Sequence, residues 1–297
     1  MMNRIGVLNF SKRAMDPRSL LRRRRAAYAL PALFTAGNIF LGFVAIMKSV
    51  QGAMYTQAGT LGPNQHFAMA AMAIGVAVVL DGLDGRIARV TNTVSEFGRE
   101  MDSLADIVTF GIAPAVLAFA WGVQFVVVPI LRDELHRMGY FVSFLFLLCG
   151  AARLARFNVQ RNPVPKNPGR VDRKYFVGLP IPAAGALIAA VVYVMRGAPL
   201  HFWPFTLVWL ALLALLSFLM VSTWRYRSFK DFQLLRPRSP LTIIVWGSLI
   251  YVIWNYPEQS LLAMTTTYVG SGIVIRLGGV LRRRFRHPPP QPEHQVG

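Results

Sequence analysis

The chain has 297 residues, 54% of them hydrophobic, and a mean hydropathy of +0.43. Its apolar residues come in blocks of about 20, the length that crosses a bilayer as a helix, and this excludes an ordinary soluble domain with charge interspersed throughout. The formal net charge is +19, but no binding motif or stacking platform accompanies it, so nucleic acid is not expected as a partner.

Residues 1–28 are basic throughout and lack the apolar stretch that precedes a signal cleavage site. They read as a cytoplasmic segment able to lie as an amphipathic helix on the membrane surface. Apolar blocks then follow at 29–48, 66–84, 103–124, 139–157, 176–195, 203–222, 240–255 and 259–277. The seventh is the weakest, being short and carrying Gly247 and Ser248. The pattern predicts an all-α, polytopic integral membrane domain over residues 29–280, with eight transmembrane helices and both termini cytoplasmic. The runs are continuous rather than alternating, so a membrane β-barrel is not expected. Residues 281–297 are basic and then Pro-rich, and read as a disordered tail.

With that topology the outer loops hold Lys48, Arg132, Arg137 and Arg196, and the other 28 of the 32 Lys and Arg fall on the inner side. This is a strong positive-inside bias. The clusters Arg22 to Arg25 and Arg282 to Arg286 suit anionic lipid head groups of the inner leaflet. Lys166, Arg170, Arg173 and Lys174 form a further basic loop. The expected location is the cell's inner (plasma) membrane, multi-pass, with the chemistry facing the cytoplasm. The single cysteine, Cys149, reads as an inert buried thiol, and the five histidines make no ligand cluster.

Between Asp81 and Asp106 the chain reads DGLDGRIARVTNTVSEFGREMDSLAD, which holds six of its 13 acidic residues at the end of the second block. Asp81, Asp84 and Ala88 are spaced i, i+3, i+7 and share one helix face; Asp102 and Asp106, i and i+4, share a face of the next helix. Two helices thus present two carboxylates each toward a common space. Four like charges at a membrane boundary repel and are costly to desolvate. Hard oxygen ligands of this kind take Mg²⁺, Mn²⁺ or Ca²⁺, and two such ions would cancel the four charges. Gly82 and Gly85, with Ala88, leave room for a flat base or a diphosphate, and Arg86 and Arg89 can meet phosphate oxygens. Glu96 and Glu100 read as solvated loop charges.

The residues Asp81-x2-Asp84-Gly85-x2-Ala88-Arg89-x8-Gly98-x3-Asp102-x3-Asp106 resemble, at every position, the signature of the CDP-alcohol phosphatidyltransferase family. The resemblance implies an integral membrane enzyme that moves a phosphatidyl group from a CDP-linked lipid to an alcohol and releases CMP. It implies Asp81, Asp84, Asp102 and Asp106 as ligands of two divalent ions, Asp106 also as general base, and Gly82, Gly85, Ala88, Arg89 and Gly98 around the CDP-lipid. It also implies a homodimer. The stretches LPALFTAGNIFLGFVAI (30–46), DSLADIVTFGIAPA (102–115), ARLARFNV (152–159), FVGLPIPAAG (176–185) and VSTWRYRSFKDF (221–232) look like the phosphatidylserine synthase branch. On that likeness the substrates are CDP-diacylglycerol and L-serine; glycerol 3-phosphate, inositol phosphate or choline would mark a sister enzyme.

A serine acceptor brings a carboxylate, which needs a cation. Arg153 and Arg156, i and i+3 in the fourth block, are candidates, with anchoring at the membrane surface as the other reading. Thr35 and Asn38 are polar positions of the first block that can face the cavity or pack between helices. Gly37, Gly42 and Gly185 read as close helix contacts. Pro180 and Pro182 predict a kinked or unwound start to the fifth block.

Overall fold

In a computed structural model of the chain, the described residues are 17–57, 59, 62–90, 96–128, 131–161, 175–227, 247–248 and 251–284. Helix ends 17–31, 87–90, 160–161 and 279–284, residues 84 and 277, and every strand residue except Tyr226 are described by backbone alone. The elements are α1 (Pro17–Gln57), α2 (Gln65–Val90), α3 (Glu96–Asp106), a π-helical turn (Ile107–Ile112), α4 (Ala113–Gly122), α5 (Arg132–Arg161), β1 (Tyr175–Val177), α6 (Ile181–Val194), α7 (Trp203–Val221), β2 (Arg225–Arg227) and α8 (Pro257–Arg284).

Among the described residues, five helical stretches are long and apolar enough to cross a membrane: Ala32–Gln57, Gln65–Leu83, Glu96–Gly122, Arg132–Val159 and Trp203–Val221. They bury one face against each other and leave large apolar side chains such as Phe40, Met72, Phe144 and Val208 exposed. In water such a surface would aggregate; in a bilayer it faces acyl chains. The protein is an all-α polytopic membrane protein. Of the other expected spans, the seventh lies mostly outside the described residues, and the eighth falls within α8, where Thr265, Thr266 and Thr267 interrupt the apolar run.

Three local features depart from the expected layout. Helix α1 begins at Pro17 rather than near residue 29, with proline at the first helical position where its missing N–H costs nothing. The fifth block is helical only from Ile181. Its first residues, Phe176 and Val177, together with Tyr175 just before it, instead pair antiparallel with Arg225–Arg227. Pro180 stands as the N-cap and Pro182 in the first turn, so the helix cannot extend back through them. Gly178 links strand to helix at φ +82°, a conformation that side chains rarely adopt, and a Cβ there would lie 2.5 Å from the Met220 carbonyl oxygen. Gly37 has no packed neighbour within 4 Å among the described residues, whereas Gly42 and Gly185 do lie against other helices.

Packing sets the bundle. Helix α1 lies along α2, α2 on α6, α5 on α7 and α6 on α8. Asn64 caps the start of α2: its Oδ1 accepts from the His66 N–H at 3.0 Å, and its Nδ2 donates to the Gly52 carbonyl and to Thr56 Oγ1, both at 2.9 Å. At the same end of the bundle, Trp209 packs edge-on against Trp121 with centroids 5.0 Å apart and donates from Nε1 to the Ala118 carbonyl at 3.0 Å. The indole fits there because residue 122 is glycine.

Candidate active site

Helical register carries Asp81 to the site. Along α2 the fully buried stripe is Phe67, Ala70, Ile74 and Ala77, and Asp81 is the next position at the same 3–4 residue interval. Asp84 is the position after that; its side chain, with those of Ala88 and Arg89, lies outside the described residues. Helix α3 brings Asp102 and Asp106 one turn apart around buried Ala105. Carboxylate oxygens of Asp81, Asp102 and Asp106 all lie within 4.8 Å of one another, and all three residues are half-buried.

This donor set fits a divalent cation. Three carboxylates from two helices supply hard oxygens at mutual distances that one or two ions can bridge. Their burial makes bare negative charge costly, so a cation is the natural counter-charge. Beside them, a Cβ at Gly82 or Gly85 would meet no described residue within 4 Å. Gly98 is exposed at the start of α3.

Helix α5 closes the other side. Asn158 donates from Nδ2 to Ser103 Oγ at 2.9 Å, and Ser103 Oγ donates to the Arg99 carbonyl at 3.0 Å, which ties α5 to α3 beside Asp102. Arg153 is buried, within electrostatic reach of Asp106 and of Tyr268 on α8. Its Nε has no hydrogen-bond partner among the described residues. Arg156, one turn on, is placed differently. Its Nη1 donates to the Val221 carbonyl at 3.0 Å and its Nη2 to the Ser222 carbonyl at 3.5 Å, at the C-terminal end of α7, where a cation meets the negative end of the helix dipole. The two arginines that look equivalent in sequence are therefore sorted: one is buried within electrostatic reach of Tyr268 and Asp106, the other fastens α5 to α7.

Asn38 on α1 is fully buried, and neither amide atom has a partner among the described residues. Its carbonyl accepts from Thr109 Oγ1 at 2.9 Å. Thr109 is one turn beyond Asp106, so this bond joins α1 to the span that carries Asp102 and Asp106. Thr35, one turn before it, is also buried.

Sequence reasoning missed Tyr268, Tyr226 and the Asn158–Ser103 link. Tyr226 of β2 is fully buried, its ring 5.9 Å from that of Tyr268 and against Gly272. Burial, and then the neighbouring Tyr268, push its phenol up to about 12, so it stays neutral. No spacing rule announces these residues, because they come from separate parts of the chain: Tyr226 and Tyr268 meet through the ribbon and α8, Asn158 and Ser103 through α5 and α3.

Comparison with known proteins agrees with this geometry. The family model described as CDP-alcohol phosphatidyltransferase matches residues 28–221. The CDP-diacylglycerol–serine O-phosphatidyltransferase of Helicobacter pylori (strain ATCC 700392 / 26695) is 36% identical over 250 residues, covering 83% of this chain and 90% of its own. The protein of the same name from Bacillus subtilis (strain 168) is 31% identical over 205 residues, 68% of this chain and 91% of the relative. That from Saccharomyces cerevisiae (strain ATCC 204508 / S288c) is 40% identical over 160 residues, about half of each chain (54% and 51%).

Proposed function

The chain belongs to the CDP-alcohol phosphatidyltransferase family, and from that premise we propose that it transfers the phosphatidyl group of CDP-diacylglycerol to L-serine, giving phosphatidylserine and CMP. The observation that carries the reading is the convergence of Asp81, Asp102 and Asp106 in a chain whose relatives, matched over most of both lengths, bear the serine transferase name.

Asp81, Asp84, Asp102 and Asp106 would hold divalent ions, Mg²⁺ or Mn²⁺, two in number. Bound there, the metal supplies positive charge to the diphosphate and to the departing CMP. The remaining work falls to the chain's own side chains. Gly82 and Gly85, which carry no side chain, let the CDP moiety lie against α2; by the family signature Ala88 and Gly98 are assigned to its border and Arg89 to its phosphates. Asp106 accepts the proton of the serine hydroxyl, because a neutral hydroxyl is a poor nucleophile. The freed oxygen forms a bond to the phosphorus that carries diacylglycerol, the bond from that phosphorus to the CMP oxygen breaks, and CMP leaves with the electron pair. Arg153 neutralises the serine carboxylate. The Asn38 amide offers a buried donor and acceptor to the acceptor's polar groups, while Arg156 holds this end of α5 against the end of α7. Placement and charge supply most of the acceleration.

The site is read as facing the cytoplasm from the cell's inner membrane, in a homodimer, with the basic clusters against anionic lipid. The test is CMP release by purified protein in mixed micelles with CDP-diacylglycerol and Mn²⁺ or Mg²⁺. Serine, glycerol 3-phosphate, inositol, inositol phosphate and choline are offered one at a time. CMP and a new lipid with serine alone, lost on adding EDTA, support the reading. Turnover with another acceptor refutes the choice of serine and keeps the family chemistry.

A further inference from the structure

The third span is not a continuous α-helix. Immediately after Asp106 it widens into a π-helical turn, Ile107–Ile112, in which the Ala113 N–H donates to the Val108 carbonyl, five residues back. Pro114 accounts for it: it has no N–H for the Phe110 carbonyl four residues before it, and its ring would crowd that carbonyl in a regular helix. Gly185 of α6 packs on the same place, where a Cβ would lie 3.1 Å from Pro114 Cγ and 3.4 Å from the Phe110 carbonyl oxygen.

The turn changes which way α3 faces. Each residue advances an α-helix by about 100°. In an unbroken helix, Ile112, Val116 and Phe119, the less buried face around α4, would sit roughly 90° round from exposed Leu104 of α3. One extra residue taken up by a π turn removes about 100°, which brings Leu104 and that face into one lipid-facing stripe and sets Asp102 and Asp106 opposite it. Bilayer and core fix α4; the π turn then decides that the two carboxylates point at α2.

One side chain ties this turn to another helix by a hydrogen bond. Thr109 is fully buried, and its Oγ1 donates to the Asn38 carbonyl of α1 at 2.9 Å. The approach is possible because residue 42 is glycine: a Cβ there would lie 2.6 Å from Thr109 Oγ1 and 2.9 Å from Thr109 Cα.

We propose that Thr109 is a positioning residue: its bond to the Asn38 carbonyl, across the bare face of Gly42, fixes the phase of the π turn that aims Asp102 and Asp106 at Asp81. This rests on reading those carboxylates as a divalent-cation site. The packing alternative, a threonine that merely satisfies its own hydroxyl within a span, makes a different forecast about metal.

The experiment is Mn²⁺ binding, read without turnover from the free Mn²⁺ signal in electron paramagnetic resonance, on detergent-purified full-length protein. Parent, Thr109→Val, Thr109→Ser and Asp106→Asn are compared, each scaled to its folded fraction. Valine keeps the shape and removes the hydroxyl; serine keeps the hydroxyl. Expected is a rise of about 10- to 100-fold in half-saturating Mn²⁺ for Thr109→Val, with Thr109→Ser within about threefold of the parent. Thr109→Val that binds Mn²⁺ like the parent, at whatever melting temperature, overturns the proposal. So does Thr109→Ser that binds as weakly as Thr109→Val. A parent that binds no better than Asp106→Asn refutes the cation-site reading itself, and the proposal with it.

Discussion

Replacing Arg153 with leucine removes a buried cation within electrostatic reach of Asp106 and leaves the latch made by Arg156 intact. Arg153 is 9% exposed, so whatever it binds is bound away from water. A hydrogen bond to a charged group in such a place is worth about 1.5–3 kcal/mol. If the partner is the serine carboxylate, kcat/KM for serine falls about 10- to 150-fold, while KM for CDP-diacylglycerol and half-saturating Mn²⁺ stay at the parent's values. The assay is CMP release with serine varied at saturating CDP-lipid, then with metal varied at saturating serine. Ethanolamine, which is serine without the carboxylate, supplies the control. The parent should discriminate against it, and Arg153→Leu should lose that discrimination by the same factor. Arg153→Lys, which keeps the charge but not the planar fork, should fall between. An unchanged serine dependence with a shifted metal requirement would refute the assignment and make Arg153 a counter-ion to the carboxylates.

Asp106→Asn should lower kcat by about 10²- to 10⁴-fold with its melting temperature within about 4 °C of the parent; turnover within a few-fold of the parent would remove Asp106 from the role of base. EDTA should abolish CMP release, and added Mn²⁺ or Mg²⁺ should restore it in the parent, as measured by back-titration. Gly122→Ala drives a methyl group into the Trp209 indole and should destabilise by about 1–3 kcal/mol, seen as a lower melting temperature with kcat per folded enzyme unchanged. Gly178→Ala combines a positive φ with a Cβ 2.5 Å from the Met220 carbonyl oxygen, and should cost at least about 1–2 kcal/mol while displacing the carbonyls at the end of α7 that hold Arg156. A variant as stable as the parent would show that the ribbon adjusts freely.

Much of this molecule was legible before any coordinates. A bilayer demands runs of about 20 apolar residues, so the spans announce themselves, and 3.6 residues per turn puts Asp102 beside Asp106 and Asp81 in line with Ala77 on any helix that forms. Composition and register thus determine that the chain is a helical membrane protein and that its acids lie on shared faces. What they leave open is which face meets which neighbour. Helices α4, α6 and α7 are apolar nearly all round, so no polar side marks their orientation. Only the assembled bundle brings Asp81 within 4.8 Å of the α3 carboxylates, and only it separates Arg153 from Arg156, which have the same chemistry three residues apart. The ribbon of β1 and β2 joins segments some 50 residues apart in sequence, and the bond from Thr109 to Asn38 spans 71. Such contacts follow from how helices cross and how closely glycines such as Gly42 let them approach. Tertiary packing decides both, and a single stretch of sequence carries neither.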